Sequence, residues 1–366
     1  MNRRKFITTA SIATGALALG ACDKPATSTA SQATNSEKFN WRLQLVVSKN
    51  LPIWSDGVIE FARKVKLISN DRLNIKVYGA GELFPAFELF DKVKDGTIEM
   101  GHSASYFWSG KVPGCEFFTG LPFGLNADGM NSWIYNGGGL KLWEELYAPH
   151  NLVPIPCGST GVQMGGWFNK EIKTIEDYKG LKMRMPGLGG KVINKAGASA
   201  ETIPQSEIYT SLATGRIDAT EWVGPYHDYI MDFSKAAKFY YVGGWHEPGS
   251  MLELIINKNA YAKLPDDLKE IVTVCAAETN RHMLNEWILK DSEYYQKMLQ
   301  EGTVQFKEFP IEVVKQMKVF AKEVIAELAA KNEMTKKIYA SYSKFQGIYE
   351  PYQEISERAF VKALKS

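Results

Sequence analysis

Residues 265–300 read PDDLKEIVTVCAAETNRHMLNEWILKDSEYYQKMLQ, and this stretch predicts a single long helix. Pro265 sits where a first-turn residue needs no amide hydrogen, and Asp266 and Asp267 place negative charge at the positive end of the helix dipole. No further Pro and no Gly interrupts the pattern before Gly302. At 1.5 Å per residue the helix is roughly 50 Å long, more than a single lobe spans, so it has to run across two lobes.

Around this helix, short apolar runs alternate with amphipathic stretches, the rhythm of an α/β protein. Strands are expected at Trp41–Val47, Leu73–Tyr78, Leu152–Ile155, Gly180–Met185, Met251–Asn257 and Thr303–Phe309, and further helices at Ile53–Leu67 and Ile311–Ala330. The aromatic-rich tail Tyr339–Ala363 is expected to pack on a surface. Gly79-Ala80-Gly81 reads as a strand-to-loop turn, since no Lys-Ser/Thr follows it as a phosphate loop requires. About 325 residues remain after the N-terminal segments, too many for one ordinary core.

Those N-terminal segments fall into two parts. Arg3, Arg4 and Lys5 precede an uncharged apolar run from Phe6 to Leu19, shorter than the ~20 residues that cross a bilayer, which reads as an export signal. Arg3-Arg4 with Phe6-Ile7 resembles the twin-arginine signal, and Leu19-Gly20-Ala21-Cys22 the lipobox, whose Cys becomes the lipid-modified first residue of the mature chain. Cleavage after Ala21 or Ala18, with Cys22 incidental, is the plainer alternative. Residues 22–40 are rich in Ser, Thr, Ala, Gln, Asn and Lys, too polar to offset their ordering entropy, and read as a flexible tether to an anchor. The expected division is signal 1–21, tether 22–40 and a two-lobed domain 41–366 with lobes discontinuous in sequence, exported to the periplasm and tethered to the membrane through Cys22.

Without the three basic signal residues the chain carries 40 Lys and Arg against 41 Asp and Glu, near −1, with no basic stripe, so a nucleic-acid partner is not expected. Three other cysteines, Cys115, Cys157 and Cys275, form neither a disulfide framework nor a metal pair and read as buried thiols; a Cys115–Cys157 bridge is the alternative. No GxSxG, HExxH or Walker loop is present, and the five histidines stand far apart in sequence, so no catalytic residue is assigned and an enzyme is not expected.

The informative region runs from Gly161 to Gly249. It contains Val162-Gln163-Met164-Gly165-Gly166-Trp167-Phe168, then Gly180-Leu181-Lys182-Met183-Arg184, then Ile217-Asp218-Ala219-Thr220-Glu221-Trp222-Val223-Gly224-Pro225-Tyr226, and then Gly244-Trp245-His246-Glu247. The GLKMR segment followed by the IDATEW block resembles the solute-binding subunits of tripartite ATP-independent periplasmic (TRAP) transporters, and the full set is similar to their 2-oxoacid-binding branch. The likeness extends over nearly all of the chain from Trp41 onward. It implies a two-lobed periplasmic solute-binding fold with the long helix across both lobes. It also implies TRAP membrane subunits as partners, uptake driven by an ion gradient, and a pyruvate-like or lactate-like monocarboxylate as ligand. Some members dimerise through C-terminal helices, so a homodimer is among the implied assemblies. A secreted enzyme acting on a small acid, and an ABC-type or chemosensory receptor, are the competing readings.

Each of these residues suits the capture of a small carboxylate. Arg184 ends a predicted strand and offers a planar fork of donors, or else pairs with a surface carboxylate. Glu221 and Glu247 lie beside Trp222 and Trp245, where a buried carboxylate needs a counter-charge, and a hard cation with oxygen ligands supplies one. Read plainly, Glu221 instead caps a helix near Pro225, and Gln163 is a satisfied strand residue. The resemblance implies a cation coordinated by Gln163, Glu221, the Trp222 main chain and Glu247: Na⁺ by likeness to the branch, Ca²⁺ by charge count. It implies ligand contacts from Arg184, Gln163, Tyr106 and Trp222, Tyr106 lying in the aromatic run Tyr106-Phe107-Trp108. Two departures are Ser159, where near relatives carry Asn and which is counted with the ligand-binding residues, and His246, where they carry Trp; a pocket position for either would alter ligand preference.

Overall fold

The computed structural model describes residues 37–365, so the export signal, Cys22 and nearly all of the tether lie outside the described residues. The first strand, β1 (Phe39–Leu45), begins two residues inside the stretch read as tether. It pairs in parallel with β2 (Leu73–Tyr78), Phe39 opposite Leu73, and on its other side with β3 (Met100–Ser103). β10 (Ser250–Asn257) lies antiparallel between β3 and β4 (Leu152–Gly161), completing a five-stranded sheet in the order β2-β1-β3-β10-β4. β10 is an inner strand and every residue of it is buried, the polar Ser250, Glu253 and Asn257 included.

The second sheet is built from shorter strands: β5 (Gly166–Phe168), β6 (Lys182–Arg184), β7 (Ser199–Glu201), β8 (Ala219–Thr220), β9 (Phe239–Tyr241) and β11 (Gln305–Lys307), in the order β11-β9-β5-β8-β6-β7. Each sheet is the floor of one lobe, and two connectors join the lobes here. The chain leaves the first sheet through residues 162–165 and returns to it through residues 242–249. The connectors are hydrogen-bonded to each other, Gln163 N to Glu247 O at 3.2 Å and Gly244 N to Gln163 O at 2.9 Å. A Cβ on Gly244 would lie 2.3 Å from the Gln163 carbonyl oxygen, so only glycine lets the two chains approach this closely.

The long helix is present as Asp266–Glu301, capped by Gly302 with φ +63°. It packs on β4 and on the helix Trp54–Ile68 of the first lobe, and on the helix Pro225–Ile230 of the second, so it braces both lobes as expected. Ile311–Ala329 is helical, and the aromatic tail forms two helices, Glu333–Ile355 and Glu357–Leu364. Cys115, Cys157 and Cys275 are free and buried, so the alternative bridge is not formed. Among the described residues no helix is long and apolar enough to cross a membrane.

Candidate functional site

The site forms where strand ends of the second lobe meet the two connectors. β6 and β8 run parallel with Arg184 opposite Thr220, and Glu221 N donates to Arg184 O at 3.3 Å, so Arg184 and Glu221 emerge side by side at the carboxyl ends of their strands. This is where open α/β sheets place ligands. Arg184 is 1% exposed. Its Nη1 donates to the Glu221 carbonyl at 3.0 Å and to Glu221 Oε1 in a shorter ion pair. Its Nε and Nη2 are buried and have no hydrogen-bond partner among the described residues. Those two donors form one edge of the guanidinium plane, the edge that fits a carboxylate in two parallel bonds. Buried donors are nearly always satisfied, so an unfilled fork on a buried cation marks a place for an anion.

Trp222 covers this arginine, with Arg184 Cζ 5.1 Å from the indole centroid. Behind it Trp54, which opens the first-lobe helix, stacks on Trp222 at 6.2 Å. Trp54 Nε1 donates to His102 Nδ1 at 2.9 Å, and His102 Nε2 donates to Cys157 O at 2.6 Å. Both ring nitrogens of His102 are thus used within the core, and burial lowers its pKa to about 4.

The Glu221-Trp222-Val223-Gly224 block is held from below. Val223 N donates to buried Asp228 Oδ1 at 3.3 Å, Trp167 Nε1 and Tyr240 OH donate to Asp228 Oδ2 at 3.0 and 2.7 Å, and Asp291 of the long helix accepts from Tyr226 N at 2.9 Å. The helix Pro225–Ile230 begins at Gly224 with no side-chain cap, so Glu221 is not its cap.

From the connectors come Gln163, His246 and Glu247. Gln163 Nε2 donates to Glu247 Oε2 at 2.8 Å and reaches Thr160 Oγ1 at 3.3 Å, while its Oε1 is buried without a partner among the described residues. Ser250 also donates to Glu247 Oε2. Glu247 is buried, and its pKa is pushed up to about 7, first by desolvation and then by the charge of Glu221. His246 Nε2 lies 3.3 Å from Glu221 Oε2. The carboxylates of Glu221 and Glu247 and the His246 ring each present an atom within 4.8 Å of the other two. Two buried acids this close are relieved either by a proton on Glu247 or by positive charge beyond Arg184, and a cation fits the donor set. With carboxylates and an amide oxygen in reach, Glu221, Glu247 and Gln163 are the residues able to hold it.

The first lobe contributes Tyr106, whose ring lies against Gly187: a Cβ there would come within 3.3 Å of the tyrosine ring. Burial, followed by the charge of Glu247, raises the phenol pKa well above its ordinary value, so the hydroxyl stays protonated and available as a donor. Trp108 instead points inward and donates to buried Glu253 at 2.7 Å, so of the aromatic run Tyr106 faces the cluster and Trp108 belongs to the core.

Residues 46–332 match the family described as bacterial extracellular solute-binding protein, family 7. The chain belongs to that family. This solute-binding protein is 39% identical over 360 residues to the monocarboxylate 2-oxoacid-binding periplasmic protein of Nostoc sp., with 98% of each chain covered. Its fold is similar to the TRAP periplasmic solute-binding protein of Pseudoalteromonas atlantica solved with bound sodium and pyruvate, at 40% identity and TM-score 0.87, covering 89% of this chain and 99% of that one. It is equally similar to the one from Colwellia psychrerythraea solved with bound calcium and pyruvate, at 39% identity and TM-score 0.87, covering 89% and 100%. The TRAP-type assignment read from the GLKMR and IDATEW segments therefore holds.

Of the residues singled out in this solute-binding protein, Arg184, Gln163, Tyr106, Glu221, Trp222 and Glu247 come together. Ser159 does not join them through any described hydrogen bond: it is buried in β4 opposite Met251, and its hydroxyl accepts from Gly161 N at 3.4 Å. Trp54, Thr160 and Ser250 support the site and were not legible, because nothing in local spacing links residues this far apart.

Proposed function

We propose that the protein captures a small 2-oxo monocarboxylate of pyruvate size in the periplasm, together with a cation, and delivers it to TRAP membrane subunits. The unfilled Nε–Nη2 edge of buried Arg184 carries this reading, because it matches a carboxylate and no hydrogen-bond acceptor among the described residues fills it. The relatives solved with pyruvate, and the 2-oxoacid binder of Nostoc sp., support the ligand class; a lactate-like 2-hydroxy acid is the neighbouring choice. Gln163 Oε1, Glu221, Glu247 and the Trp222 main chain hold the cation, Na⁺ or alternatively Ca²⁺. Gln163, Tyr106 and Trp222 complete the ligand pocket. The role is binding and release without catalysis. Cys22 carries a lipid anchor and residues 22–38 the tether, so that the two-lobed domain, with lobes discontinuous in sequence, reaches the membrane subunits.

Acid and cation act together here. Arg184 is already neutralised by Glu221, and an ionised Glu247 repels an incoming anion, so the cation converts a repulsive site into an attractive one. Titration calorimetry with pyruvate, in buffer free of Na⁺ and Ca²⁺ and after restoring each ion, tests this. Affinity should fall at least about tenfold without the ion, about 1.4 kcal/mol. Glu221→Gln should produce the same loss, and equal or tighter pyruvate binding by that variant would overturn the bridging cation.

A further inference from the structure

A strained turn of the first lobe meets the Glu221-Trp222-Val223-Gly224 block of the second. Ile53, directly before Trp54, has φ 61° and ψ −61°, and Trp54 N donates to Pro52 O at 2.6 Å across it. This is the three-residue γ-turn of the rare hand, strained for any L-residue and most of all for a β-branched one. Glycine aside, Ile53 is the only β-branched residue with positive φ among the described residues. Glycine would adopt this conformation without a side-chain clash. The chain uses isoleucine instead and buries it to 1% exposure, with Leu51 and Trp54 buried as well. Backbone held in such a conformation persists only where its surroundings over-determine it, and such residues gather at functional sites.

Both lobes hold this turn. Within the first lobe, Ser55 N donates to Leu51 O and Gly57 N to Ile53 O, each at 2.9 Å, and Ser55 Oγ donates to Ser48 O at 2.7 Å. From the second lobe, His227 Nε2 donates to Pro52 O at 2.9 Å, and Gln205 Oε1 accepts from Ser48 N at 3.3 Å. Pro52 O thus takes two N–H groups, one that closes the turn and one from the opposite lobe. Because its partner is a carbonyl, His227 Nε2 carries the ring proton, and burial keeps the ring neutral by lowering its pKa to about 4. His227 lies just past Trp222, in the helix Pro225–Ile230. Trp54, which leaves the same turn, stacks on Trp222 at 6.2 Å and 16°. Trp287 of the long helix stands edge-on to Trp54 at 6.2 Å and to His227 at 5.4 Å. Trp222 in turn lies over Arg184, so a displacement of the turn passes through one ring to the ring that covers the anion's anchor.

We propose that the Pro52-Ile53-Trp54 turn is a positioning element of the ligand site: strained at Ile53 and pinned by His227, it fixes Trp54 behind Trp222 and so holds Trp222 against Arg184. Ile53 and His227 are positioning residues that act through these two tryptophans. The inference rests on pyruvate capture at Arg184 as proposed above. The full chain is titrated calorimetrically with pyruvate at fixed cation concentration, and the folding of each variant is checked by near-ultraviolet circular dichroism. His227→Leu, which removes the N–H to Pro52 O, and Ile53→Gly, which lets the turn relax, should each weaken pyruvate binding at least about tenfold. His227→Gln, which restores an N–H at similar reach, and Ile53→Val, which keeps a buried β-branched side chain, should stay within about threefold of wild type. Both residues act through one turn, so the double variant His227→Leu with Ile53→Gly should bind at most about threefold worse than the weaker-binding single variant. Two unrelated structural losses would multiply instead. Wild-type affinity in His227→Leu, or losses that multiply in the double variant, would overturn the proposal while pyruvate capture stands. If Ile53→Gly does not fold, the contrast between His227→Leu and His227→Gln decides alone. If the wild-type protein does not bind pyruvate, the ligand reading falls and this inference with it.

Discussion

Replacing Arg184 by Lys separates the charge of the anchor from its shape. In the folded protein one guanidinium nitrogen holds Glu221 while the opposite edge, Nε and Nη2, is unfilled. Lysine keeps a positive charge beside Glu221 but has no planar fork, so at least one of two charge-assisted bonds to the ligand is lost. Each such bond contributes about 1.5–3 kcal/mol, which converts to roughly ten- to a hundredfold weaker pyruvate binding. Arg184→Met is a poorer probe. It leaves Glu221 buried and unpaired, at a cost of about 3–5 kcal/mol to folding, so lost binding would have two causes. The assay is titration calorimetry of Arg184→Lys at fixed cation concentration, with the thermal midpoint recorded alongside. Affinity within about threefold of wild type would show that the fork is not the anchor, and the ligand would then have to be held by the cation alone.

The ion pair that joins the two lobes has its own test. Lys191, in the second-lobe helix Gly187–Lys195, donates to buried Glu116 of the first lobe at 2.8 Å. Lys191→Met should weaken pyruvate binding several-fold by loosening one lobe from the other, and small-angle scattering should show a larger radius of gyration; unchanged affinity would show that this pair does not hold the lobes together for the ligand. Stability should depend on pH through His102, whose pKa is lowered from 6.5 to about 4 by burial. The unfolded chain then binds the proton first, so this contribution is complete above pH 6.5 and is lost as pH falls towards 4, in total about 3 kcal/mol. His102→Gln, which retains an acceptor and a donor, should flatten that part of the stability profile measured by urea unfolding. At the N-terminus, Cys22→Ser should release the protein from the membrane fraction, and an unlipidated mature N-terminus found by mass spectrometry would contradict the anchor.

Local signals were sufficient for the long helix, because Pro265, the two aspartates and Gly302 act through neighbours in the chain. They were sufficient also for β2, predicted and observed at Leu73–Tyr78, and for the apolar β10. Local signals singled out Arg184, Glu221 and Glu247 as candidates only. Arg184 reads equally well as a surface ion pair until the family resemblance favours a ligand role, and the fold brings the three together. β3 was missed: Met100-Gly101-His102-Ser103 has no strand-forming pattern, and it is a strand because its neighbours β1 and β10 pair with it and Trp54 satisfies its histidine. The two-residue β8 was missed for the same reason, yet its register with β6 sets Glu221 beside Arg184. Only the tertiary structure could show that Arg184 has one edge taken and one edge open, that Ser159 bonds within β4 and its turn, and that His246 faces Glu221. Composition and spacing select residue types able to bind a carboxylate and a cation. Which of their donors stay unpaired depends on groups tens of residues away, brought within 3 Å by the pairing of strands and the contact of two connectors.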